Sequence, residues 1–102
     1  MTTLDLLVLK TLETMGPMHG YAIARRLKQV SRDVLQLNQG SLYPALVKLE
    51  KRGWITAKWA VTENNRKARY YSLTKAGRKQ LKHEAESWER MAAVIGRVLE
   101  GA

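Results

Sequence analysis

The stretch from Trp54 to Leu73 constrains the fold of this 102-residue chain most, because its pattern is that of strands, whereas long segments on either side have helical spacing. Residues 54–62 and 68–73 are rich in aromatic and β-branched side chains, and a polar turn, Glu63-Asn64-Asn65-Arg66-Lys67, separates them. This pattern predicts a β-hairpin with a basic turn. We expect its aromatic residues to lie mostly in the core: Trp54, Trp59, Tyr70 and Tyr71.

Four helices are predicted around this hairpin, three before it and one after it. They span residues 4–15, about 20–30, about 40–51 and 75 to about 99. Gly16-Pro17 ends the first helix, since glycine suits a left-handed cap and proline cannot continue the hydrogen bonding. The third helix has a buried stripe of Leu42, Leu46 and Leu49, and Thr74 caps the fourth.

Six residues of the last helix are separated alternately by four and three positions, the heptad spacing by which one helix packs along another. They are Leu81, Ala85, Trp88, Ala92, Ile95 and Leu99. We therefore expect residues 75–102 to form a C-terminal dimerisation helix and residues 1–74 to form the preceding domain. Trp88 is wide for such a seam. It either plugs the dimer core or lines, with Met91 and Ala92, an apolar cleft for a flat ligand.

Positive charge is concentrated in the middle of the chain. Of a net charge of +9, residues 48–82 contribute eleven basic and two acidic groups, whereas residues 83–102 carry four glutamates and two arginines. A domain this basic usually binds a polyanion.

Several classes of function are disfavoured by composition. There is no cysteine, and His19 and His83 are far apart, so neither a disulfide scaffold nor a metal site is expected. No glycine-rich phosphate loop or catalytic Ser-His-Asp set is found, so we expect neither an enzyme nor a cofactor. No apolar run approaches the roughly 20 residues of a membrane span, which favours a cytoplasmic protein without a membrane partner.

The order of three helices, strand, basic turn, strand and helix predicts an α+β, mainly α fold: a winged helix-turn-helix with a two-stranded wing and one long C-terminal helix. The third helix is the expected recognition helix. Its face away from the leucine stripe offers Ser41, Pro44, Ala45, Lys48 and either Lys51 or Arg52. Arg66, Lys67 and Arg69 would form a cationic wing along the DNA backbone or minor groove.

Three motifs resemble the PadR family of transcriptional regulators. They are Gly-Pro-Met-His-Gly-Tyr at 16–21, Gly-Ser-Leu-Tyr-Pro-Ala-Leu at 40–46 with Leu-Glu-Lys-Arg-Gly-Trp-Ile at 49–55, and Asn-Asn-Arg-Lys-Ala-Arg-Tyr-Tyr-Ser-Leu-Thr-Lys-Ala-Gly at 64–77. The resemblance implies a homodimeric DNA-binding repressor of the subfamily with a single C-terminal helix. It favours a DNA contact for Tyr43, which would otherwise be half-packed against the second helix. His19 and Tyr21 complete the expected DNA-binding set, although His19 also suits a helix start.

The leading interpretation is a sequence-specific repressor that binds double-stranded DNA at a palindromic operator, with half-sites about one helical turn apart. The resemblance suggests a neighbouring transporter or stress-response operon as its target, and a small hydrophobic or aromatic effector as its release signal. The alternative is a DNA-architectural protein that binds without sequence preference. An RNA-binding protein is disfavoured, because the exposed aromatic pairs of single-stranded RNA readers are not expected.

Overall fold

A computed structural model describes residues 1–101 as four helices and a small antiparallel sheet. The elements are, in chain order, α1 (Thr3–Met15), β1 (Met18–His19), α2 (Gly20–Val30), α3 (Gln39–Lys51), β2 (Ile55–Val61), β3 (Lys67–Leu73) and α4 (Lys75–Leu99). The predicted helices, the hairpin and the mainly helical winged architecture are confirmed. Among the described residues, no helix is long and apolar enough to cross a membrane.

All four helices begin at a side chain that accepts a backbone N–H bond, which explains why their starts are well defined. Thr2, Asn38 and Thr74 cap α1, α3 and α4 through side-chain oxygens. His19 caps α2, because its Nδ1 accepts the Ala22 N–H at 3.2 Å. His19 is therefore a helix-start residue.

The sheet contains one strand more than the predicted hairpin. The strand order is β1-β3-β2, with Met18 paired to Tyr71 and His19 to Tyr70. The β2–β3 hairpin pairs Ile55 with Leu73 at its base and Val61 with Lys67 near its tip. The short β1 strand ties the turn after α1 to the wing and fixes the start of α2 beside it.

The core lies where α1, α2 and α3 meet the base of the hairpin and the start of α4. Its most deeply buried members are Val8, Leu9, Leu12, Ile23, Leu42, Leu46, Leu49, Ile55 and Leu81. The leucine stripe of α3 is confirmed, but the buried face is wider than predicted. Ala45 was expected on the exposed face and is 7% exposed, because α3 packs against α1 as well as α2.

The start of α4 is packed into this same core. Gly77 is buried so closely against the backbone of Trp54 that a Cβ at this position would collide with the Trp54 carbonyl oxygen. Leu81, four residues further along, is 2% exposed. The expectation that Leu81 belongs to a dimer seam is wrong, since its side chain is already covered within the protomer by the core.

Candidate nucleic-acid interface

The N-terminal half of α3 presents an exposed surface beside the wing. Ser41, Tyr43 and Pro44 are exposed there, and Tyr43 retains 52% of its surface. Asn38 Oδ1 accepts the Ser41 N–H at 2.9 Å, so the first turn of α3 is held in place at this surface. Pro44 lies in the second turn, where it cannot donate to the Gly40 carbonyl. The three predicted recognition residues are therefore together and accessible.

Lys48, which the sequence predicts as a groove contact, forms an ion pair within the protomer. Its Nζ lies 2.8 Å from Oδ2 of Asp5, whose side chain is fully buried in α1. Asp5 also forms the capping box of α1, accepting the Thr2 backbone N–H at 3.1 Å. Because Lys48 neutralises a buried carboxylate, this ion pair competes with the predicted groove contact of Lys48, which stays a prediction.

The pKa of Asp5 reflects the same arrangement. Burial by itself raises the pKa of this carboxyl, since it penalises the charged form. The hydrogen bond from Lys48, the bonds from Thr2 and the charge of Lys48 outweigh burial, so that the pKa lies below its ordinary value of 3.8. Asp5 is accordingly ionised at neutral pH, and α1 and α3 are joined by charge as well as by packing.

The three cations predicted for the wing are divided between two roles. Arg69 Nη2 lies 2.9 Å from Oε2 of Glu50 on α3, and its guanidinium is 5.9 Å from the centre of the Trp59 ring. Arg69 thus braces the wing against the recognition helix. Arg66 and Lys67 are exposed at the tip and make no ion pair with any residue that the structure describes.

The tip that carries these two cations has a defined conformation. Thr62 and Arg66 are joined by a 2.7 Å backbone hydrogen bond, and the Thr62 side chain accepts the Arg66 N–H at 3.2 Å. Asn65 adopts a φ of +59°, a left-handed conformation that asparagine tolerates better than most residues. The exposed cations are therefore projected from an ordered turn.

His19 and Tyr21 lie at the other end of this surface, at the start of α2. Tyr21 is 67% exposed, and the guanidinium of Arg25 lies 5.9 Å from its ring centre. The His19 ring meets the Tyr70 ring edge-on at 5.3 Å. Since Nδ1 of His19 accepts the α2 capping bond, it is Nε2 that remains for an external partner.

One aromatic residue of this surface was missed by the sequence analysis. Trp59 was expected in the core, yet it is 66% exposed on β2. It lines a concave region of about 390 Å³ together with Tyr21, Tyr43 and Arg69. Alternation along β2 correctly places Trp59 on the face of Ile55, but the helices cover only the base of that face.

A second candidate site is a groove of about 860 Å³ between α1 and α4. Its apolar lining comes from Leu6 and Leu7 of α1 and from Ala85 and Trp88 of α4. Trp88 is 55% exposed. Met91 and Ala92, predicted with Trp88 as ligand contacts, lie beyond the lined part of α4 within one protomer. Among residues 1–101, no group of three or more His, Cys, Asp or Glu side chains is placed to hold a metal ion.

A three-helix domain with an accessible recognition helix and a basic wing defines a DNA-binding protein of the winged-helix class. The chain belongs to the PadR-like family of transcriptional regulators, because the model of that family, "Transcriptional regulator PadR-like family", matches residues 8–83. The resemblance to this family that the sequence motifs indicate is thereby confirmed.

Two relatives match by sequence over most of the chain. An uncharacterized 37.1 kDa protein in transposon TN4556 of Streptomyces fradiae is 42% identical over 87 residues, which are 85% of this chain and 23% of that protein. Protein X of Lysinibacillus sphaericus is 25% identical over 83 residues, covering 81% of this chain and 76% of that protein. The chain thus spans less than a quarter of the length of the Streptomyces relative.

Solved structures agree with the fold over nearly the whole chain. A transcriptional regulator from Clostridium thermocellum has a TM-score of 0.82 at 29% identity, over 91% of this chain and 89% of that one. A PadR family regulator from Eggerthella lenta has a TM-score of 0.83 at 27% identity, over 98% and 84%. Bacillus subtilis PadR, solved in complex with operator DNA, has a TM-score of 0.72 at 26% identity, over 83% and 48%.

Proposed function

We propose that this protein is a homodimeric repressor that binds a palindromic operator through α3 and the wing. The observation that carries the proposal is the contrast between the wing cations: Arg69 is paired internally, whereas Arg66 and Lys67 project from an ordered tip. Cations held in this way suit phosphate oxygens. The complex of Bacillus subtilis PadR with operator DNA supports the same use of this fold.

The proposed contacts to DNA follow the exposed surface. Ser41, Tyr43 and Pro44 enter or border the major groove from the start of α3, and Tyr21 contacts the backbone from the start of α2. His19 reaches a phosphate through Nε2. Lys48 stays a predicted contact, in competition with its ion pair to Asp5.

The second half of α4 supports a dimer through residues 75–102. Large apolar side chains there are left in water by a single protomer: Trp88 (55% exposed), Met91 (57%), Val94 (42%), Ile95 (50%), Val98 (64%) and Leu99 (81%). A continuous apolar strip of this kind marks an interaction surface. We assign the seam to Ala85, Trp88, Ala92, Ile95 and Leu99, and two-fold symmetry then sets two half-sites about one helical turn apart.

The groove between α1 and α4 supports an effector site at Trp88, completed by Met91 and Ala92 from the dimer. A flat hydrophobic compound would stack on the indole. To release DNA, it must bind the DNA-incompetent dimer more tightly than the competent one. The regulated genes would be a neighbouring transporter or stress-response operon, and such a regulator acts in the cytoplasm.

Binding to the protein's own upstream DNA tests the proposal. We expect the upstream duplex to bind more tightly than random DNA of equal length. For each of Arg66→Ala and Lys67→Ala, which remove one phosphate contact from each protomer of the dimer, the slope of log K against log salt should fall in magnitude by roughly 1.8. Arg97→Ala, which removes an exposed cation from the last turn of α4, is the control and should leave the slope unchanged. Equal affinity for random DNA would instead indicate a non-specific architectural protein.

A further inference from the structure

The wing carries an apolar patch beside its cations. Trp59 and Val61 are 66% and 60% exposed, and they pair across the hairpin with Arg69 and Lys67. Directly opposed residues of an antiparallel pair lie on the same face. Trp59, Val61, Lys67 and Arg69 therefore form one surface, the wing patch, in which two apolar side chains of β2 lie beside two cations of β3.

The wing patch is the outward continuation of a face that is buried nearer the helices. Ile55, on the same face of β2, is 1% exposed, and Tyr71, opposite Ala57, is 4% exposed. Trp59 is the next residue of this face beyond Ala57, where the helical layer no longer covers the sheet. An indole that projects past the core has no role in packing that core, which points to an external partner.

The position of Trp59 relative to the recognition helix is fixed. Arg69 lies 5.9 Å from its ring centre and is held at 2.9 Å by Glu50 of α3. Trp59 also shares a concave surface of about 390 Å³ with Tyr43 of α3. Any molecule that contacts the start of α3 is thereby brought beside the indole.

The chemistry of the patch matches the backbone of duplex DNA. That backbone carries anionic phosphates next to apolar deoxyribose rings, and the patch sets the unpaired cation Lys67 next to the apolar side chains of Val61 and Trp59. We propose that Trp59, supported by Val61, packs against a deoxyribose at the edge of the minor groove next to the half-site, while Lys67 contacts the adjoining phosphate. The inference rests on the proposed operator binding and adds a contact that is independent of salt.

Salt dependence separates this contact from the ionic ones. Affinity for the upstream duplex is measured at four or more salt concentrations for the wild type, Trp59→Ala, Trp59→Phe and Lys67→Ala. We expect Trp59→Ala to bind about tenfold more weakly at every salt concentration, with an unchanged slope. This factor corresponds to about 55 Å² of lost apolar contact at roughly 25 cal/mol per Å². Trp59→Phe should retain most of the affinity, and Lys67→Ala, which acts in both protomers, should reduce the magnitude of the slope by roughly 1.8.

Fluorescence quenching provides a second measurement that does not depend on affinity. Acrylamide quenching is compared for the wild type and for Trp59→Phe, which keeps Trp54 and Trp88 and leaves the α4 seam unchanged. Saturating operator duplex should protect Trp59 from acrylamide, so that it reduces the quenching of the wild type more than that of Trp59→Phe.

Two results would overturn the inference: wild-type affinity of Trp59→Ala at every salt concentration, or no protection of Trp59 by the duplex. Either would exclude the wing patch from the DNA interface. Failure of the proposed function is distinguishable, because the wild type itself would then show no preference for its upstream duplex.

Discussion

The ion pair between Lys48 of α3 and Asp5 of α1 is tested by Lys48→Met, which keeps a straight apolar side chain and removes the ammonium. Asp5 is fully buried, and its Oδ1 has no hydrogen-bond partner among the described residues. After the substitution, the Thr2 backbone N–H at 3.1 Å remains as donor to the carboxylate. We therefore expect a buried carboxylate that keeps one hydrogen-bond donor but has no opposite charge beside it, and a large loss of stability.

The magnitude follows from how far each partner is buried. Removing one member of a fully buried pair costs about 3–5 kcal/mol. The side chain of Lys48 keeps 37% exposure, so water reaches the space it vacates, and we take the low end, about 3 kcal/mol. In a domain of this size each kcal/mol lowers the unfolding temperature by about 4–8 °C, so the expected fall is about 12–24 °C.

Replacing the other partner of the ion pair, Asp5, should reduce stability less. Asp5→Asn keeps the shape and one acceptor oxygen, and it leaves Lys48 as the unpaired group, which can turn to water. We expect a cost of about 1–2 kcal/mol. Combining the two substitutions removes both charges, so the double variant should be more stable than Lys48→Met alone, an outcome that additive effects do not give.

The contribution of Asp5 to the pH dependence of stability should change sign between the wild type and Lys48→Met. In the wild type, the folded pKa of Asp5 lies below its unfolded value of 3.8, so its contribution is present above pH 3.8 and is lost as the pH falls through the folded pKa. In Lys48→Met, burial acts without the opposing ammonium and should raise the folded pKa above the unfolded one. In that variant the contribution of Asp5 to stability should be fully present below about pH 3.8 and be lost as the pH rises through the raised pKa.

Urea unfolding between pH 3 and 7 measures these effects, at one protein concentration because a dimer's stability depends on it. Lys51→Met is the matched control: an exposed lysine of the same helix, for which we expect a change within about 0.5 kcal/mol. If Lys48→Met unfolds like Lys51→Met and keeps the wild-type pH profile, the ion pair does not stabilise the fold and the argument fails.

The remaining predictions concern α4. Ile95 is half exposed in a single protomer, so Ile95→Glu should be tolerated there. In the dimer the same substitution should bury an unpaired carboxylate, at a cost of about 3–5 kcal/mol. Sedimentation velocity at micromolar concentration should then show monomers, and an intact dimer would contradict the seam. Trp88→Ala should abolish the quenching of tryptophan fluorescence by flat hydrophobic dyes, and quenching that survives would place the effector site elsewhere. In that comparison Trp54 and Trp59 supply the background emission.

The sequence predicted the elements well because helical spacing and alternation are local properties of each segment. It missed β1 because two residues are too few to show a period. It placed Trp59 on the correct face of β2, yet alternation says nothing about where the covering helices end. Similarly, the leucine stripe of α3 gave its main buried side but not the full width of the buried face, which includes Ala45.

Charge partners were harder to predict than the elements. Lys48 and Asp5 are 43 positions apart, and Arg69 and Glu50 are 19 apart, so no local pattern pairs them. A fully buried aspartate at the third position of α1 looks, in sequence, like an ordinary capping residue. The basic character of residues 48–82 indicated the class of partner. Which of these cations remain unpaired, and so can bind that partner, could be read only from the folded structure.

The close packing of Gly77 against the Trp54 backbone makes α4 a lever arm. Leu99 lies 22 residues beyond this fulcrum, which is about 33 Å at 1.5 Å per residue. A tilt of about 5° at Gly77 would therefore sweep the far end of the helix through about 3 Å, geometry that follows from the same helical rise. In a dimer joined near that end, small angular changes at the fulcrum become ångström-scale changes in the separation of the two winged domains.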